Sequence, residues 1–380
     1  MNKKTLGVVV ALIAILATVG VILVVNQSGN PRHSRTVNIA ANLPLTGPVA
    51  AWSGDFPLGF RLGIEEASRE FGVDPATFAM DFQDNAGKPA QAASIVQKQM
   101  LGDLDVYLVG SSEAAKAAVG AIDPLKIPNF IVAFDPFMAK EDPSRLRIMA
   151  NSKIEAPLFI QYAKQRSAKS VMIIQLNSAY ANDQFGKIVQ PALQDAGVTV
   201  ERELFEFNNQ DYKNLAAKAA STKPDLIFIV GYSFHLRPLI RELRAHDLVR
   251  DGRVMGVTDV VDFLYDGTAR DELQGMVFAA PLFDIPGAVA GADKWRARFK
   301  NRFGKEPSYV PAYAYDNAWA IVRAYAQTGK VTVESIRNAL PFNGTTGTVE
   351  LDEDGDIVAT VAIARVNSEG RVEIVKVDQK

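Results

Sequence analysis

From Thr36 onward, short apolar runs alternate with longer stretches whose apolar positions recur near every 3.6 residues. TVNIAANL (36–43) leads into FPLGFRLGIEEASREFG, then TFAMDFQD (77–84), a helical pattern at 88–101 and DVYLVG (105–110). An alanine-rich helical stretch opening at Ser111 and Ser112 follows, then NFIVAF (129–134). This alternation predicts an α/β fold with a parallel, doubly wound sheet. A second series opens after RLRIMANS. It runs through a helix at about 154–166, VMIIQL (171–176), a helix near 182–195, VTVERELF (198–205) and a helix near 211–221. LIFIVG (226–231), a helix near 235–246, RVMGV (253–257) and MVFAA (276–280) close it. Two such series predict two lobes. Proline and glycine are scattered over the strand–helix junctions and form no single linker, so several crossing segments are expected between the lobes. The tail, 344–377, reads as β-hairpins with Asp-Gly and Glu-Gly turns.

The N-terminus breaks the pattern. Met1-Asn-Lys-Lys precedes a nearly uninterrupted apolar run from Leu6 to Val25, followed by polar NQSGNPRHS. This is an export signal, with its positive end favouring the cytoplasm. The segment 1–30 is either a cleaved signal peptide or a retained transmembrane anchor. The run is longer than the roughly 7–15 residues of a cleaved core and has no convincing Ala-x-Ala, which favours an anchor over residues 6–25. The remainder is expected in the periplasm or another extracytoplasmic space. The chain has no cysteine, which excludes a lipoprotein, disulfides and cysteine-ligated metal.

Composition narrows the function. The 380 residues are 48% hydrophobic and 22% charged, with a net charge of −2, which gives no basic footprint for nucleic acid. There is no Gly-x-Gly-x-x-Gly, no phosphate-binding loop, no His-Glu-x-x-His and no Gly-x-Ser-x-Gly. Of the three histidines, His33 lies beside the apolar segment, and His235 and His246 read as core or surface residues. LDEDGDI imitates a calcium loop through Asp352, Asp354 and Asp356 but lacks its glycine and distal glutamate, and is read as a solvated hairpin turn. Neither an enzyme nor a cofactor or metal site is expected.

What remains is a set of polar and aromatic residues just after strand ends, where open α/β sheets bind ligands. Trp52 follows the first strand, Ser111 and Ser112 the third, Phe134 and Asp135 the fourth. In the second series Tyr180, Tyr232 and the pair Thr258 and Asp259 follow strands. The two serines could cap the helix they open, or leave its backbone N–H groups for the carboxylate of a guest.

NIAANLPLTGPVAAWSGDFPLGFRLGIEEA resembles the opening of the type I periplasmic solute-binding proteins of the branched-chain amino-acid (leucine/isoleucine/valine) class. GSSEAAKAAVGAIDPLKIPNFI, DYKNLAAKAASTKPDLIFIVGY, FKNRFGKEPSYVPAYAYDNAWAI and FNGTTGTVELDEDGDIV match further segments in order, so the likeness spans about 37–375. The resemblance implies two Rossmann-like lobes, 37–152 plus 283–340 and 153–282 plus 341–375, joined by three crossing segments. They would close on a small solute and deliver it to the permease and ATPase subunits of an ABC importer. It also implies that Ser111 and Ser112 receive an α-carboxylate and that Trp52 covers the ligand. Tyr180 and Tyr232 would be second-lobe aromatics, and Thr258 and Asp259 would lie near the ammonium partner. Two departures stand out. VGSSE lacks two residues that usually precede the serines, and AFDP replaces a small-Ala-Thr loop, bringing Phe134 and Asp135 towards the carboxylate end. Asp135 beside a ligand carboxylate is costly unless paired or protonated. The ligand therefore stays open between an aliphatic amino acid and other small amphiphilic, aromatic or cationic solutes. A membrane-tethered sensing ectodomain of the same fold is the alternative function.

Overall fold

The strands whose sequences are unbroken apolar runs are buried along their whole length, as parallel strands covered on both faces must be. The computed structural model describes residues 35–265, 270–358 and 361–375. The expected signal or anchor, 1–30, lies outside the described residues, among which no helix is long and apolar enough to cross a membrane.

A first sheet runs in the order β2-β1-β3-β4-β5, all parallel. Its strands are β1 (Val37–Leu43), β2 (Phe78–Asp84), β3 (Val106–Gly110), β4 (Asn129–Val132) and β5 (Arg145–Leu146). The last is only two residues long and has no periodicity to read. Helices α1 (Phe56–Phe71), α2 (Pro89–Gln99) and α3 (Ser112–Ile122) connect the first four strands. A second sheet follows: β6 (Ser170–Leu176), β7 (Thr199–Phe205), β8 (Leu226–Val230), β9 (Val254–Gly256) and β10 (Val277–Pro281). These five are parallel, but the expected tail hairpin, β13 (Val361–Val366) and β14 (Val372–Ile374), adds antiparallel to β10. This sheet is therefore mixed, in the order β14-β13-β10-β9-β8-β6-β7. Its helices are α4 (Ser152–Gln165), α5 (179–195), α6 (Lys213–Thr222) and α7 (Ser233–Ala245), and α5 carries a π-helical stretch, Asn182–Val189, in its middle. Three more helices, α8 (Ala292–Phe303), α9 (Tyr309–Thr328) and α10 (Val333–Asn338), lie between β10 and the short pair β11 (Phe342–Asn343) and β12 (Thr348–Val349).

Helix α9 returns to pack on α1 of the first sheet, and two glycines permit it. A Cβ on Gly59 would sit 1.9 Å from the carbonyl oxygen of Pro311, and one on Gly63 2.6 Å from that of Tyr315. The chain thus passes from the first sheet to the second after β5, back to α1 after β10, and again to the second sheet before β13. In each sheet the strand order reverses once, between β1 and β3 and between β6 and β8, and such reversals open a crevice at the carboxyl ends of the strands.

Gly59→Ala is expected to lower stability by about 1–3 kcal/mol through overpacking. Gly120→Ala, on α3 with open space around it, is expected to raise it by about 0.5–1 kcal/mol. Urea unfolding of the two variants against the parent chain checks both signs.

Candidate functional site

Both crevices supply walls to one cavity. Val49 and Trp52 come from the segment after β1, Ser111 and Ser112 from the β3–α3 junction, and Ala133 and Phe134 from the end of β4. Tyr180 follows β6, Tyr232 follows β8 and Asp259 follows β9, and the walls close around only about 10 Å³, room for little more than a water molecule. Four rings cross the cavity in series: Trp52 to Phe134 at 5.9 Å between centroids, Phe134 to Tyr180 at 6.5 Å, and Tyr180 to Tyr232 at 6.0 Å. Trp52 is held by its indole N–H, which donates to the Tyr309 hydroxyl at 2.9 Å. The Tyr180 hydroxyl is buried with no hydrogen-bond partner.

Seven of the nine residues singled out in the sequence line this cavity: Trp52, Ser111, Ser112, Phe134, Tyr180, Tyr232 and Asp259. The other two turn away from it. Thr258 donates both its backbone N–H (2.6 Å) and its hydroxyl (2.7 Å) to one oxygen of Glu155 on α4. Glu155 has no basic partner and is held instead by these donors and by Gln184 of α5 at 2.7 Å. Asp135 is buried against Lys116 of α3, 2.5 Å away, and accepts from the Phe137 N–H at 2.9 Å. The cost expected of a bare carboxylate there is met by that lysine, which is itself 3.4 Å from Asp183 of α5. Burial works against the Lys116 charge, but its two carboxylate partners outweigh it and hold the ammonium above its ordinary value.

The start of α3 differs from the cap that the serines could have made. Neither side chain caps it; Ser112 Oγ instead accepts from the Asp135 N–H at 3.3 Å. Ser111 sits at φ 70° and ψ 132°, a region that a residue with a side chain rarely occupies and that clusters at functional sites. Its side chain and the Tyr232 ring both line the cavity. Glu113 lies in the first turn of the helix. Burial pushes Glu113 above the usual carboxylate range. A guest carboxylate at this helix start therefore meets an acid already in residence.

Asp259 is the electrostatic exception. Only 4% of it is exposed, and among the described residues no cation lies within ion-pair distance of it. Burial pushes its carboxyl well above the usual range, and Asp262 and Glu155 add to the shift. No basic residue lines the cavity.

One residue the sequence gave no reason to select sets the geometry of the Phe134 loop. Arg147 is wholly buried and donates to the carbonyls of Ala133 (3.0 Å) and Asp135, while its Nε donates to Asp356 at 2.6 Å. The LDEDGDI turn is consequently not simply a solvated one. Asp356 is buried on Arg147, and Lys153 lies 2.8, 2.6 and 3.5 Å from Asp352, Asp354 and Asp356. His235 is a core residue whose Nε2 lies 2.7 Å from the Phe207 carbonyl.

The chain matches the periplasmic binding protein family over residues 36–371. A Leu/Ile/Val-binding protein of Rhizobium johnstonii is 23% identical over 364 residues, covering 90% of this chain and 95% of the relative. Among solved structures, the branched-chain amino-acid transporter substrate-binding protein of Streptococcus pneumoniae, in complex with isoleucine, superposes with a TM-score of 0.75 at 21% identity. That match covers 89% of this chain and 98% of the other. A solute-binding protein of an ABC transporter from Rhodopseudomonas palustris, in complex with 3,4-dihydroxybenzoic acid, gives 0.76 at 20% identity over 90% and 96% of the two chains.

Replacing Arg147 by Met strands the Asp356 carboxylate in the interior and is expected to cost about 3–5 kcal/mol. Adding Asp356→Asn to that variant should recover part of the loss. A double-mutant cycle by urea unfolding reads both effects, and additive losses would show that the pair does not interact.

Proposed function

The chain belongs to the periplasmic binding protein family, and we propose that the solute it captures is a small amphiphile bearing an ammonium group, whose charge Asp259 neutralises. It is a solute-binding protein and not an enzyme, acting outside the cytoplasm to hold a small solute and deliver it to an ABC importer. The single observation behind the ligand class is the buried Asp259 carboxylate without a cation. A buried acid in that condition carries a desolvation cost that an incoming ammonium removes. The four rings supply the apolar wall for the solute body and favour a cation over their faces.

Ser111 and Ser112 contact the polar end of the solute. Glu113, already seated on the helix start, weighs against a second carboxylate there. A neutral amino acid remains compatible, since its ammonium and carboxylate can be held by Asp259 and the serine hydroxyls. An aromatic monoacid is disfavoured, because the cavity offers no basic side chain and already contains an acid. The first lobe comprises 37–152 plus 283–340 and the second 153–282 plus 341–375. Closure is stabilised by contacts that form only when the lobes meet, including Lys116 with Asp183 and Phe134 with Tyr180. The apolar run 6–25 exports the chain and tethers it beside its permease, where tethering raises local concentration.

Isothermal calorimetry with leucine, phenylalanine and benzoate tests the reading. The amino acids should bind and benzoate should not, and Asp259→Asn should weaken amino-acid binding by about a hundredfold. The sign of the pH dependence follows from the raised Asp259 carboxyl. Below its value in the free protein the group is protonated, so pairing with an ammonium expels a proton. Affinity should fall by about tenfold for each unit the pH is lowered in that range, with proton release seen in buffers of different ionisation enthalpy. Benzoate binding that survives Asp259→Asn would refute the reading.

A further inference from the structure

The ring series does not stop at the inner cavity. Phe234 stacks on Tyr232 with centroids 5.8 Å apart and planes 8° from parallel, and it lies in the wall of a wider cavity of about 380 Å³ that opens to solvent. Asp55 and Glu306 face that space from one side, and Ser233, Phe234, Arg237 and Asp262 from the other. An acidic line runs parallel to the aromatic one. Asp259 and Asp262 are three residues apart on the 3₁₀ segment Thr258–Leu264, a spacing that puts both on one face, about 6 Å apart along the axis. Asp259 lines the inner cavity and Asp262 the outer.

The charged neighbours in the outer cavity are already matched, except one. Asp55 pairs with Lys305 at 2.5 Å, Glu306 with Lys300 at 2.5 Å, and Arg237 with Glu272 at 3.1 Å. Asp262 lies beside Ser233 in the cavity wall, its Oδ2 is buried with no hydrogen-bond partner, and among the described residues no cation pairs with it. We infer that the outer cavity is a second subsite, in which Asp262 receives a second cationic group at the distal end of an extended solute. This rests on the reading of Asp259 as the acceptor of the first ammonium. The solute class it names is a diamine or a basic amino acid, with its chain lying along Tyr232 and Phe234. The outer cavity is wide enough to hold the distal group, whereas the inner one has to widen to admit the proximal ammonium.

Calorimetry with two matched pairs tests it: lysine against norleucine, and 1,5-diaminopentane against hexylamine. Hexylamine matches 1,5-diaminopentane in length, and norleucine is lysine without its terminal amine. The wild-type chain should bind the dibasic member about tenfold tighter or more in both pairs. That ratio should collapse towards one in Asp262→Asn and be partly restored in Asp262→Glu, with near-ultraviolet circular dichroism confirming that the variants fold. A ratio near one in the wild type, or a ratio that survives Asp262→Asn, overturns the inference. If norleucine and hexylamine bind and the dibasic partners gain nothing, this inference alone falls. If none of the four binds, the ammonium reading of Asp259 falls with it.

Discussion

A carboxylate taken out of water needs compensation, and the interior of this protein supplies it to nearly every acid it buries except at the cleft. Asp356 has Arg147, and Asp135 has Lys116. Asp316 on α9 accepts from the backbone N–H groups and hydroxyls of Thr345 and Thr346, and Glu155 accepts from Thr258 and Gln184. Asp284 has the Tyr265 hydroxyl, with Arg296 at 3.9 Å. Asp259 has only its own backbone and the field of other acids, so it is held in a costly state by the fold around it. That cost is sustained because the neighbours are themselves fixed. Glu155 clamps Thr258, the residue before it, and the 3₁₀ segment that follows is anchored in the core through Val260, Val261 and Phe263.

The same economy of contacts governs closure. Across the cleft, Lys116 lies 3.4 Å from Asp183, and the Phe134 and Tyr180 rings meet at 6.5 Å between centroids. Lys116 is more than a third exposed and Asp183 mostly buried, so the ion pair between them is partly screened and individually modest. A closure held by small terms is sensitive to what a guest adds. On the proposed reading, a cation that relieves Asp259 adds to the closed state a term that none of these direct contacts supplies.

Much of this was legible in the chain itself. Unbroken apolar runs marked the parallel strands, and polar or aromatic residues at their carboxyl ends marked the cavity, because an open α/β sheet exposes that edge. Side-chain direction was not legible. Thr258 and Asp135 each stand next to a lining residue, yet each turns to a partner distant in sequence, Glu155 or Lys116. Arg147 gave no sign because its partner lies 209 residues away, and the Asp352–Asp356 turn looked solvated for the same reason. The two-residue strand β5 and the π-helical stretch in α5 are set by tertiary packing and leave no periodicity to find. The export signal expected at 1–30 lies outside the described residues.

The central claim is that a positive charge on the solute completes the site. The most direct measurement is to purify the protein from its native membrane without refolding, release whatever it carries and identify it by mass spectrometry. The account predicts a solute with a protonated amine, recovered in stoichiometric amount and absent when Asp259→Asn protein is treated identically. Recovery of a carboxylic acid with no amine, retained equally by both proteins, would contradict it.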